Sequence, residues 1–387
     1  MSLSSPDIGR MKRDLAALVA INTENPPGRE REAAEHISRL LADAGFDLTL
    51  SEYLPGRTNV IARLENGAGP CFAFNTHIDV VPAGVGWSQD PFTLTERDGK
   101  LYGRGSCDAK GPLVAMLEAM RMLAAHRQSW RGALMGIFVA DEEAASEGAK
   151  FYVREAPAKI DYAVIGEPTS NTTYSAHKGS LRPLVRVQGV TAHSGTPELG
   201  ENAIFRAAQL LGLVEHAHQH SVRCHCHPLV GSASLTVTRI SGGHADNVLP
   251  DSCELLLDRR MVPGEDEEQV KQEIRDLLAL AREKFGVRSE IVTFKPTTGG
   301  ATETRSDDPI VLAGLDACRA HGNQEPGPFG FQGGCDLVHF RSLGTKGIVI
   351  GPGSLADAHK PDEFVPIDEF IAASEIYRDV ALAMMSR

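Results

Sequence analysis

The sequence predicts an α/β protein with a split catalytic domain, in which a helix-covered central mixed sheet is interrupted by an inserted ferredoxin-like α+β domain. Three observations predict it. Apolar strand-type runs alternate with helix-type stretches as far as Lys178-Gly179. The order then becomes β-α-β-β-α-β, a complete ferredoxin-like unit. A helix, a strand and a long helix follow and return the chain to the first domain. The cuts fall at 1–179 and 295–387 for the first domain and 180–294 for the insertion. A length of 387 residues suits two domains of roughly 100–200 residues each.

The elements follow in order. Helices are predicted near 7–20 and 29–44, strands near 46–52, 59–64 and 71–76, and a helix near 111–126 whose start is marked by Pro112. The apolar runs ALMGIFVA (133–140) and YAVIG (162–166) read as buried strands. The insertion begins with LRPLVRVQG, then a helix near 201–218, strands SASLTVTRIS and CELLLDRRM, a helix over DEEQVKQEIRDLLALAREKF, and the strand RSEIVTFKP. Helix 311–320, strand 346–351 and helix 367–385 complete the first domain. The Gly/Pro-rich stretch 322–334 reads as an active-site loop.

Ligand-type side chains sit at the ends of these strands. The run CFAF (71–74) delivers His77 and Asp79, which, two apart on an extended segment, share a face. ALMGIFVA ends in Asp141-Glu142-Glu143 and YAVIG in Glu167, while Asp108 lies in the glycine-rich loop GRGSCDAKG and His359 near the chain's end. Carboxyl ends of strands are where open α/β sheets place their sites. A single His-x-Asp or Glu-Glu pair is commonly a solvent-facing arrangement, and an acidic run after a strand also suits a helix N-cap; four such features at strand ends point to a metalloenzyme. Imidazole and carboxylate ligands suit zinc, with cobalt or manganese as alternatives. Two ions about 3.5–4 Å apart need one shared carboxylate. Glu142 and Glu143 then supply one acid as ligand and one as proton acceptor, and Asp79 orients the His77 ring.

Composition narrows the function classes. The net charge of −12 and the lack of basic stripes argue against nucleic-acid or membrane partners. No apolar run approaches the ~18 residues of a membrane span, and the N-terminus lacks a secretion signal pattern. Seven cysteines without framework spacing fit reduced thiols, so a cytoplasmic protein is expected.

The stretches NTHIDVVPAG, GRGSCDAKG, DEEAASEGA, GEPT and AHKPDEF resemble, in order and over residues 75–363, the metallopeptidase and deacylase family of acetylornithine deacetylase, succinyl-diaminopimelate desuccinylase, aminoacylase and glutamate carboxypeptidase. The resemblance implies a two-metal amide hydrolase. It implies that His77 and Glu167 hold one ion, Glu143 and His359 the other, that Asp108 bridges them, and that Glu142 is the general base. It also implies a cis peptide at Asp108–Ala109, and an inserted domain that acts as lid and homodimer contact.

Within the insertion, His193 in GVTAHSGTP is by itself an ordinary loop histidine. The resemblance makes it the oxyanion donor, reaching across from a partner subunit. Asn247 and Arg260 match positions that bind the substrate carboxylate, for which a guanidinium fork is suited. Arg259, one residue away, faces the opposite side and serves as an internal control. Gly333 of FQGGCD would bring backbone donors against substrate. Residues 216–227 crowd five histidines and two cysteines without a zinc-type four-ligand spacing, and read as a polar helix end and loop, with an extra metal site as the alternative. Cys107 lacks a paired base and reads as packing.

The expected substrate is a small N-acyl amino acid, because the segments GEPTS, SAHKGS and DAHKPDEFV look most like the acetylornithine deacetylase branch. Lys178, a candidate cation for a succinyl group, keeps desuccinylation open. A di- or tripeptidase or carboxypeptidase with the same site is a further alternative. A non-catalytic binding protein is disfavoured by Glu142, a carboxylate that the ligand set does not need.

Overall fold

The computed structural model describes residues 5–155 and 158–386. The chain forms two compact units: one runs to Ala176 and resumes with Glu303–Gly330 and the segment from Cys335 onward, and the other comprises His177–Thr302 and Phe331–Gly334.

The first unit is built on a mixed sheet. Its strands lie in the order Asp47–Leu54, Arg57–Asn66, Gly132–Val139, Cys71–His77, Tyr162–Ile165, Lys346–Val349 and Tyr174–His177. The central pairings are parallel, with His77 opposite Val139 and Asn75 opposite Ile165. This register puts the chain that follows each strand at one edge of the sheet. The strands Cys71–His77 and Gly132–Val139 are buried throughout, which is why they read as continuous apolar runs. Helix Lys110–Ala125 is buried over almost its whole length and joins helices Ile8–Ala20 and Ile367–Met385 in one core with Phe72, Phe74 and Trp130.

Several short elements of this unit were not expected from the sequence, helix Leu337–Ser342 among them. Helix Glu147–Glu155 is only nine residues long and follows a turn in which Asp141 and Ser146 adopt positive φ. Strand Tyr174–His177 has just four residues. The small sheet of Thr95–Arg97, Lys100–Tyr102 and Phe364–Pro366 is made of three-residue strands, too short for alternation to show.

The second unit is a four-stranded antiparallel sheet in the order Ser234–Gly242, Ser252–Met261, Gly179–Gln188 and Arg288–Lys295, with helices Ala203–His220 and Glu267–Phe285. That order and the β-α-β-β-α-β succession are those of a ferredoxin-like fold. Helix Glu267–Phe285 starts at the Asp266 cap, whose side chain accepts from the Gln269 amide, and stops at Gly286, which is left-handed.

Candidate active site

The site is assembled at the carboxyl edge of the first unit's sheet. Rungs continue past the strand ends: Ile78 N donates to Val139 O at 2.8 Å and Gly166 N to Asn75 O at 2.8 Å. His77, Glu142, Glu143 and Glu167 are therefore delivered by three adjacent, mutually locked strands. The loop of Asp108 is shaped by a buried carboxylate: Glu363 Oε1 accepts the amides of Gly105, Cys107 and Asp108 at 2.9–3.0 Å and pairs with buried Arg104. Because Glu363 is four residues from His359, this contact also ties the two ligand segments together. Gly105 has φ +85°, and a Cβ there would meet Val80 Cγ1 at 2.8 Å, so glycine is needed. The Asp108–Ala109 peptide is cis.

Asp108 lies between two imidazoles. Its Oδ1 is 3.1 Å from His77 Nε2 and its Oδ2 is 3.2 Å from His359 Nε2, which is also 3.2 Å from Glu143 Oε1. Ligand atoms of His77, Glu142 and Glu167 lie within 4.8 Å of one another, as do those of His77, Asp108 and Glu143. His77 Nδ1 faces the carbonyl of Asp79 at 2.9 Å, with the Asp79 carboxylate at 3.6 Å. The nearer partner of the ring is thus the backbone of Asp79. The Asp79 carboxylate instead accepts the amides of Glu142 and Glu143 at 3.1 and 3.2 Å.

Crowding of like charges leaves a clear electrostatic signature. Burial pushes Glu142 well above the usual carboxylate range, and the charge of Glu167 adds to it. Burial also raises Glu143, with Asp108 adding, and Glu167. Hydrogen bonds to Asp108 and Glu143 lift His359 to about 10, although its side chain is half exposed. Asp108 is penalised by burial, yet its contacts with His359 and His77 hold it low. A group of carboxylates this dense lacks enough positive charge of its own, and its N/O donors match those that bind zinc, cobalt or manganese. The residues fit divalent ions.

The remaining predicted residues, apart from Cys107, belong to the second unit. His193 is exposed, its Nδ1 accepting the Gly195 amide at 3.0 Å, and a bridge to Val248 sets it beside Asn247. Arg260 pairs with Asp258 at 2.7 Å, whereas Arg259 is buried against Glu265 and Glu273, so the two arginines do face opposite ways. Lys178 Nζ donates to Ser232 O at 2.8 Å, and burial with the nearby Arg260 charge lowers its pKa. Gly333 packs near the Phe331 ring. In the histidine-rich stretch, His216 and His220 stack at 4.2 Å, and His218 and His227 each accept a backbone amide. Among the described residues, the groups of three or more potential ligands are the two built on His77. Cys107 donates to Ser354 O at 3.4 Å and burial pushes its thiol well up, which suits packing.

Residues 73–383 match the sequence profile of Peptidase family M20/M25/M40. The acetylornithine deacetylase of Vibrio vulnificus is 32% identical over 364 residues, covering 92% of this chain and 93% of that protein. The chain belongs to peptidase family M20/M25/M40. In fold, it is similar to an aminopeptidase from Bacillus cereus, with a TM-score of 0.79, 19% identity, and coverage of 98% of this chain and 99% of the other. A dinuclear metal-binding peptidase of the family from Bacillus subtilis gives 0.74, 17% identity, and 98% of each. Membership makes the chain a metal-dependent hydrolase of amide bonds.

Residues of the site outside the sequence reading are Glu363, Asp336, Asn25, Arg57 and Glu30. Burial pushes Asp336 up to about 7 and Glu30 up to about 7, the latter with Asp79 adding. The available signal was the Asn-Pro-Pro-Gly run at 25–28, a turn sequence placed before an amphipathic helix.

Proposed function

We propose that the chain removes the acyl group from small N-acyl amino acids, with acetyl as the leading candidate. The observation that carries this reading is Asp108 offering one oxygen to each of two histidines beside buried Glu167 and the half-buried Glu142 and Glu143. The deacetylase relatives favour an acyl amino acid over a peptide. His77 and Glu167 would hold one divalent ion, zinc first, Glu143 and His359 a second, and Asp108 would serve both. Bound ions would supply polarisation of the amide carbonyl and acidification of the attacking water. Glu142 takes the proton of that water and hands it to the departing amine. His193 supports the oxyanion, Asn247 and Arg260 grip the carboxylate, Gly333 brings backbone donors against the substrate, and Lys178 is the candidate cation for a succinyl group.

The test is turnover of N-acetyl amino acids, N-succinyl amino acids and dipeptides, with and without chelator. Chelator-sensitive release from the N-acetyl set alone is expected. Preference for succinyl substrates would move the assignment to desuccinylation through Lys178, and preference for dipeptides to peptidase action.

The reading includes a homodimer in the cytoplasm; no helix among the described residues is long and apolar enough to cross a membrane. Support for the dimer comes from the second unit's surface. Leu199 and Phe205 are each 72% exposed, and Ile204, beside Gly243, and Ile240 are exposed as well. Strand Ser234–Gly242 is an edge strand, which a second copy could extend. Phe205→Glu is expected to convert a dimer to monomer by light scattering and to lower turnover if His193 acts across the contact. A wild-type monomer would end this reading.

A further inference from the structure

We propose that Asn25 is a positioning residue that sets the placement of the Glu142-Glu143 pair. The inference rests on the hydrolase reading above, in which those two glutamates divide proton transfer and metal binding. Asn25 is buried, at 6% exposure. Its Nδ2 is 2.9 Å from Asp79 Oδ2 and 2.9 Å from Asp141 Oδ1. Carboxylates accept and do not donate, so the amide must present one N–H to each.

Both recipients control the glutamate pair. Asp79 takes the amides of residues 142 and 143 on its two oxygens. Asp141, at φ +70°, begins that turn, and its carbonyl accepts the amides of Ala145 and Ser146. Asn25 thus joins the acceptor of the pair to the turn that precedes it. Its own backbone is fixed to the strand end that carries His77, because Asn25 N donates to Val80 O at 2.8 Å and Thr23 Oγ1 to Ile78 O at 2.8 Å.

A second layer holds Asp141 from behind. Arg57 Nη2 donates to Asp141 Oδ1 at 2.6 Å while its Nε sits 2.9 Å from Glu30 Oε2. Gly28 makes room for this arginine: its φ is +76°, and a Cβ there would lie 2.2 Å from the guanidinium carbon. The whole run 25–30 is therefore organised around one amide placed between two carboxylates. An apolar or missing side chain at 25 would remove the one amide that bridges Asp79 and Asp141, leaving Asp141 held by Arg57 and Asp79 by the two glutamate amides with no tie between them, and the glutamate turn would relax.

The experiment is steady-state kinetics and metal content of Asn25→Ala and Asn25→Leu on the metal-loaded enzyme. Partners that orient ligands are worth about 10–100-fold, so both variants should lose kcat by about that factor per metal-loaded enzyme, with KM within about threefold. Leucine fills the space of asparagine but donates nothing, and a packing role would be restored by it. Recovery of kcat in Asn25→Leu, or kcat within about twofold of wild type in Asn25→Ala, overturns the proposal. Should the Asn25 variants aggregate, Arg57→Gln decides: lower kcat at unchanged KM supports the network, and unchanged kcat overturns it. Failure of the deacylase reading looks different, as wild-type turnover confined to peptides, on which the same variants are compared.

Discussion

Glu142→Gln is expected to fold, retain its metal and lose about 10²–10⁴-fold in kcat. The substitution is nearly isosteric, and the contact that fixes residue 142 is made by its backbone amide to Asp79 Oδ1 at 3.1 Å, which glutamine keeps. What disappears is a basic oxygen at the centre of the site. That factor corresponds to about 2.7–5.5 kcal/mol of barrier. KM should stay within a few-fold, because an amide of the same size leaves substrate contacts in place. Glu143→Gln is the informative contrast. Its Oε1 lies 3.2 Å from His359, so the neutral amide should cost metal affinity, with activity partly restored by excess ion. The check is kcat, KM and bound metal measured together. Metal loss in Glu142→Gln with normal kcat after reloading would show that Glu142 is a ligand and that the base lies elsewhere. That outcome has a structural motive, since Glu142 sits within 4.8 Å of ligand atoms of His77 and Glu167.

The placement of both glutamates at the site was legible because they follow a fully apolar strand, and strand ends converge in a parallel sheet. The parallel register of Cys71–His77 with its neighbours carries the same information in space. Other parts of the site were opaque for physical reasons. Glu363 acts on a loop 255 to 258 residues earlier, a pairing without local pattern. Asn25, Arg57 and Glu30 gain meaning only through Asp79 and Asp141, which the fold brings to them over 54 and 116 residues in the case of Asn25. Asp79 was expected to orient the His77 ring, and both its carbonyl at 2.9 Å and its carboxylate at 3.6 Å face Nδ1. A residue two along the strand can also present its backbone oxygen, and the sequence does not distinguish the two. The short helix Glu147–Glu155 and the three-residue strands lacked the length over which periodicity can be read.

Removal of metal is expected to abolish turnover and to lower Tm by an amount that grows with pH between about 6.5 and 10. The sign follows from groups whose behaviour without metal is plain. His359 has its pKa raised to about 10 by Asp108 and Glu143, so its contribution to stability is complete below the ordinary histidine value of about 6.5 and is lost as pH climbs towards 10. Burial raises Glu142, Glu143 and Glu167, and a carboxyl that resists ionisation in the folded state also loses stability as pH rises above its ordinary range. Asp108 runs the other way, being held low, but its window lies in acid and leaves the neutral range alone. The metal-free protein should therefore weaken steadily from neutral to alkaline pH. Divalent ions answer the same demand for positive charge that the His359 proton meets, and they compete with it, so their affinity should rise as that proton becomes easier to displace. At an ion concentration one hundred times Kd, each site would add about 2.7 kcal/mol. Thermal melts with and without chelator across this range measure the gap directly. Asp108→Asn should narrow it, because one carboxylate facing both imidazoles is what couples proton and ion. A gap that stays constant with pH would mean that the ions are held without displacing the His359 proton, and would remove His359 from the ligand set.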